Sequence, residues 1–124
     1  VLGKTKMQQV GIDIEEISRF ENKTLEKDSH FLHKIYTKNE LDYCFSNAQP
    51  ARHLAARFCA KEAVVKALSN ILNKNLSYSQ IEILRKENGS PYVNLIGCEE
   101  NIEIALSMSH DKDKAIAFVI ANKI

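Results

Sequence analysis

Tryptophan is absent from this sequence, proline and glycine are scarce at two and four residues, and neither sign of charge dominates. So little glycine and proline excludes collagen-like and low-complexity architectures. Seventeen basic side chains against 16 acidic ones leave a net charge of +1. That balance calls for neither nucleic acid nor an anionic membrane as a partner. No apolar run approaches the ~18 residues of a membrane-crossing helix. Cysteine occurs three times, at Cys44, Cys59 and Cys98. The odd count and the spacing fit neither a disulfide framework nor a zinc site, so a reducing cytoplasm is the expected compartment. No repeat and no Pro/Gly/Ser-rich linker divides the 124 residues, and one domain is expected over residues 7–124. Residues 1–6, ahead of Met7, are read as an N-terminal extension or an expression remnant, too polar for a signal-peptide core.

What is present sorts by period. The β-branched stretch 9–14 predicts a strand that runs into a helix over about 15–23. Phe31, Leu32, Ile35 and Tyr36 suit a short second helix. Thr37 with Glu40 three residues later is a capping-box signature, starting a third helix over 38–45. The strongest helical segment runs from about 51 to 72, rich in Ala and Leu, with Leu54, Phe58, Val65 and Leu68 on one face. The second half alternates instead. Ile81, Ile83, Val93 and Leu95 flank Asn88-Gly89-Ser90-Pro91 as a hairpin. Ile104, Leu106 and Met108 precede the Asp111-Lys112-Asp113-Lys114 turn as another. The predicted class is α+β, with helices of the first half packed on an antiparallel sheet.

Two carboxylates stand out. Asp13 lies between Ile12 and Ile14, so on a strand it points away from both. Aspartate also favours helix N-caps, which gives Asp13 a purely structural alternative. Glu62 follows Phe58 by four residues and precedes Val65 by three, so it borders the apolar face of its helix. Its structural alternative is a surface pair with Lys66 one turn on, worth ~0.2–0.5 kcal/mol. Two acids from separate elements suit magnesium, which takes one or two carboxylates and completes its shell with water and phosphate oxygens. Arg57, Lys61 and Lys66 on the same helix then serve the remaining phosphate charge, a phosphoryl-transfer layout. A solvated cationic face is the plainer reading of those three. His110 ends an apolar strand row beside a turn. The run Ser109-His110-Asp111 is no catalytic triad, because neighbours on a strand point apart.

Three segments resemble one family. Gly11-Ile12-Asp13-Ile14-Glu15-Glu16-Ile17-Ser18-Arg19-Phe20 is similar to its N-terminal motif. Arg57-Phe58-Cys59-Ala60-Lys61-Glu62-Ala63-Val64-Val65-Lys66-Ala67 is similar to its central helix. Ser107-Met108-Ser109-His110 with Ala115-Ile116-Ala117-Phe118-Val119 is similar to its last strands. The family is holo-acyl-carrier-protein synthase, the short single-domain type of phosphopantetheinyl transferase, and the likeness runs from Val10 onward. It implies transfer of 4′-phosphopantetheine from coenzyme A to a serine of an apo-acyl carrier protein. By this resemblance Asp13 and Glu62 are magnesium ligands, and Glu62 and Lys66 the catalytic residues. The resemblance also has Arg57, Lys66, Pro91 and His110 meeting the cofactor and Arg19 the carrier; Lys61 joins the cofactor set from its place on the cationic helix, and Lys27 and Lys34 the carrier set from the docking segment. A homotrimer with active sites between subunits is implied as well.

The chain also departs from the family. After the central helix it reads Ala67-Leu68-Ser69-Asn70-Ile71-Leu72 without the usual glycine, which predicts a longer helix. The docking segment carries Lys23, Lys27, His30 and Lys34 where arginines are usual. A non-catalytic module that binds coenzyme A or the carrier is the rival from another class. It has no need of both carboxylates.

Overall fold

The β-branched stretch behind Met7 forms a longer strand than its pattern announces. In a computed structural model that describes residues 7–124, strand β1 spans Met7–Glu16. The expected extension, residues 1–6, lies outside the described residues. The helix expected over 15–23 is not there. Glu15 and Glu16 remain in the strand, opposite Ala115 and Lys114, and only a single 3-10 turn, Ile17–Phe20, follows. Ten consecutive pairings with one partner strand outweigh the local helix preference of two glutamates. Helix α1, Leu25–Ile35, starts where Thr24 accepts a hydrogen bond from the Lys27 backbone N–H. Helix α2, Lys38–Phe45, carries the anticipated capping box between Thr37 and Glu40.

Helix α3 spans Pro50–Leu68, with proline in its first turn where no N–H is needed. It ends at Leu68 rather than Leu72. The Ser69 hydroxyl donates to the Lys66 carbonyl and the backbone turns away without a glycine. Past a 3-10 turn at Tyr78–Gln80, strands β2 (Ile81–Arg85) and β3 (Pro91–Leu95) form the first predicted hairpin. Gly89 sits at φ +89° in its turn, a region that favours glycine. Strands β4 (Ile102–His110) and β5 (Lys114–Lys123) form the second, closed by Asp111, whose carboxylate accepts from the Asp113 and Lys114 N–H groups.

The larger sheet runs in the order β1-β5-β4, all antiparallel, and α3 lies across one face of it. The fold is α+β. Helix α3 is buried on most sides, not along one stripe: Leu54, Ala60, Ala63, Val64 and Ala67 are all fully enclosed. Burying a side chain such as Leu54 or Val64 contributes about 1.5–3 kcal/mol. The contact with the sheet is made by small residues. A Cβ on Gly11 would stand 1.9 Å from the Ala63 carbonyl oxygen, so only glycine lets α3 approach β1 this closely.

A candidate metal and phosphate site

That close approach brings the inward side chains of β1 against the middle of α3. Inward-facing positions on β1 are 11, 13 and 15, by strand alternation. Asp13, Glu15 and Glu62 each offer a carboxylate oxygen, and the three oxygens lie within 4.8 Å of one another. At an effective dielectric of ~20, two unit charges at that separation repel by about 3 kcal/mol. Lys66 offsets part of this, donating to Asp13 Oδ1 at 3.3 Å and to the Ile12 carbonyl at 2.9 Å. Arg19 pairs with Glu15 one helical turn's distance along the chain. Burial first, and the Asp13 carboxylate second, push the Glu15 carboxyl up to about 7. Glu62 in turn holds the Tyr78 phenol up at about 12, chiefly through a hydrogen bond. Asp13 Oδ2 is buried with no hydrogen-bond partner. A trio of oxygen donors with one buried, unpartnered lone-pair oxygen is the donor set a hard divalent cation takes. The residues present therefore fit magnesium.

A second concavity of about 340 Å³ lies at the N-terminal end of α3, lined by His53, Arg57, Arg85, Pro91, Ser109 and His110 among others. Its lining contains no carboxylate. Arg57 is 1% exposed, its guanidinium 4.2 Å from the Tyr43 ring centroid, and its Nε has no partner. Arg85 approaches the same ring at 5.3 Å. Burial, then the charges of Arg57 and Arg85, hold the His53 imidazole below its usual range. Two guanidiniums and no carboxylate in the lining suit this pocket to an anion.

A family model described as the 4′-phosphopantetheinyl transferase superfamily matches residues 9–119. The chain belongs to this superfamily. A holo-[acyl-carrier-protein] synthase of Thermodesulfovibrio yellowstonii is 41% identical over 114 residues, covering 92% of this chain and 97% of that relative. Among solved structures, the coenzyme A complex of the Chronobacterium ammoniagenes synthase superposes with a TM-score of 0.78 at 27% identity, over 95% of this chain and 98% of that one. The Bacillus anthracis holo-(acyl-carrier-protein) synthase, in complex with CoA (3′,5′-ADP), superposes with a TM-score of 0.77 at 30% identity, over 97% and 100%.

The fold of this phosphopantetheinyl transferase gathers some of the sequence-predicted residues and disperses others. Asp13, Glu62 and Lys66 share one site, and Arg57, Pro91 and His110 share the other. Lys61 belongs to neither, which corrects its assignment to the cofactor. It is 0% exposed, and its ammonium donates to Glu40 Oε1 at 2.8 Å, the Tyr78 carbonyl at 2.9 Å and the Ile81 carbonyl at 2.6 Å. All three of its donors are taken inside the core, so none is left for a phosphate. Arg19, Lys27 and Lys34 are exposed. Sequence reasoning passed over Glu15, Arg85 and His53. Glu15 was placed in a helix; had the strand been continued, alternation would have put it beside Asp13. The signal for Arg85 was its place across the hairpin from Pro91.

Proposed function

We propose that this transferase is a holo-[acyl-carrier-protein] synthase, acting in the cytoplasm through one domain over residues 7–124. It moves 4′-phosphopantetheine from coenzyme A to a serine of an apo-acyl carrier protein. The observation that carries the reading is the pair of sites on one helix: carboxylates at its middle, and an anion pocket at its N-terminal end. A dinucleotide-like substrate with a pyrophosphate and a separate phosphomonoester needs both.

Asp13 and Glu62 would hold magnesium, which when bound supplies charge stabilisation and templating for the pyrophosphate. Lys66, with a side chain 55% exposed, is free to turn from Asp13 towards a phosphate oxygen. Arg57, Pro91 and His110 receive the nucleotide end, and Arg57 Nε gains the partner it lacks. The carrier serine oxygen attacks the β-phosphorus, the bond to the bridging oxygen breaks, and adenosine 3′,5′-bisphosphate leaves. The serine proton passes to water held at Glu62. Arg19, Lys27 and Lys34 face solvent and suit the docking of an acidic carrier.

A homotrimer with active sites between subunits is part of the same reading. It is supported by the far side of the larger sheet, where Val10, Ile12, Ile14, Ile116 and Phe118 are 38–60% exposed. A contiguous apolar face of this kind marks an interaction surface.

Intact-mass spectrometry of an apo-acyl carrier protein incubated with coenzyme A tests the function. A gain of one phosphopantetheine arm with magnesium, and none without it, is the expected result. Coenzyme A binding with no change in carrier mass would make the chain a binding module instead.

A further inference from the structure

Three acids meet beside the middle of α3, and cations hold two of them. Lys66 pairs with Asp13, and Arg19 with Glu15. Among the described residues Glu62 has no ion-pair partner, since Lys66, one turn on, reaches Asp13 instead. A glutamate on a helix has several rotatable side-chain bonds. Something other than a cation must keep its oxygen beside those of Asp13 and Glu15.

The phenol of Tyr78 lies against it. Tyr78 opens the 3-10 turn Tyr78–Gln80 and is fixed there in three ways. The Ser77 N–H donates to Gln80 Oε1 at 2.9 Å and closes the turn. The Tyr78 carbonyl accepts from the buried Lys61 ammonium at 2.9 Å. The ring packs on that of Phe58, with centroids 5.3 Å apart and planes tilted by 58°. Phe58 stands one helical turn before Glu62 on the same side of α3, so a ring anchored on Phe58 carries its hydroxyl towards Glu62. A hydrogen bond to that carboxylate is the main cause that keeps the phenol protonated to about 12. A protonated phenol donates and an ionised carboxylate only accepts, so the bond runs from Tyr78 to Glu62. It leaves the carboxylate lone pairs to spare for a cation.

We propose that Tyr78 is a positioning residue of the transfer reaction, its hydroxyl fixing the rotamer in which Glu62 faces Asp13. The inference rests on the reading of Glu62 as a magnesium ligand. Lys61 and Phe58 serve the same end at one remove, by fixing the backbone and the ring of Tyr78.

The test is Tyr78→Phe, which keeps the ring on Phe58 and removes one oxygen. Mn2+ binding to the protein alone is read from the free-ion signal in electron paramagnetic resonance, with Glu62→Gln alongside. Tyr78→Phe is expected to melt at the wild-type midpoint and to bind Mn2+ about tenfold more weakly, the lower end of what a lost outer partner costs a metal site. Carrier modification should be slowed at limiting magnesium and restored to within about twofold at saturating magnesium, as for a defect in cation binding alone. Mn2+ binding by Tyr78→Phe within about twofold of wild type, while Glu62→Gln loses about tenfold or more, would overturn the role of Tyr78 and leave Glu62 in the site. A slow transfer that saturating magnesium does not relieve would put the hydroxyl at the substrate and overturn it too. So would a lowered melting midpoint, which would make the hydroxyl a general brace of the turn. Binding unchanged in both variants, or no saturable binding by wild type, would remove Glu62 or the cation site itself and this inference with it.

Discussion

Where β1 and β5 meet helix α3, the two faces of the larger sheet are packed the reverse of what residue size alone would give. There the inner face carries Gly11, Ala115, Ala117 and Ala121 with Val119, beside two carboxylates, and the larger Ile104, Leu106 and Met108 lie on β4. The outer face carries Val10, Ile12, Ile14, Ile116 and Phe118, all open to solvent in a single chain. The difference teaches that the inner face is shaped for distance and the outer one for area. Small residues let a helix come close enough for Glu62 to meet Asp13 and Glu15. Large ones supply apolar surface that only another molecule can bury.

Substitutions on each face break this contrast differently. The largest effect is expected for Asp13→Ala on the inner face. On the proposed role of Asp13 as a metal ligand, its loss is expected to lower the transfer rate about a thousandfold, a cost of several kcal/mol. Rates close to wild type in a variant that still melts cooperatively would take Asp13 out of the site. Next comes Gly11→Ala. Its new methyl must displace α3, and overpacking of this kind costs about 3 kcal/mol. Urea unfolding reads that cost directly, and an unchanged midpoint would mean that the helix is free to shift.

On the outer face, Ile12→Ser combined with Phe118→Ser should leave the stability of the single chain within about 0.5 kcal/mol. The same pair should abolish self-association in analytical ultracentrifugation. A large loss of stability in the monomer would show that the outer face is core after all.

The smallest effect concerns Cys59, which sits on the inner side and donates to the Asp13 carbonyl at 3.0 Å. Burial pushes its thiol up to about 12 and that of Cys44 up to about 11, from an ordinary 9.0. Both stay protonated in the folded chain where unfolded thiols would ionise. Their contribution to stability is therefore full below pH ~9 and falls above it, as the unfolded state loses protons first. At pH 8 a thiol reagent should label the half-buried Cys98 and spare the other two until urea is added. Rapid labelling of Cys59 in the folded protein would contradict its enclosure.

Periodicity made much of the fold legible. The capping box at Thr37, both hairpins and the core of α3 follow from local rules, because caps, turns and alternation act over a few residues. What escaped depends on distant partners. Glu15 is strand rather than helix because β5 pairs with it from a hundred residues away. Lys61 is core rather than surface because Glu40 waits in another helix. No local pattern distinguishes a lysine with a buried partner from one in water. Asp13 was readable as a candidate because isoleucines flank it. That those isoleucines face outward is a property of the sheet's two sides, which alternation cannot rank.

Glu40 has a consequence for how the chain acquires its structure. Its carboxylate closes the start of α2 by accepting from the Thr37 N–H, takes the Lys61 ammonium, and accepts the Ile83 N–H at 2.8 Å. One side chain thus joins segments 21 and 43 residues apart. Removing any member strands the others in a dry interior. The β2–β3 hairpin cannot dock halfway: until α2 is capped and α3 in place, Ile83 finds no acceptor and Lys61 no counter-charge. The second half is thereby tied to α2 and α3 through one carboxylate, and a hairpin docked without it leaves buried polar groups unmatched.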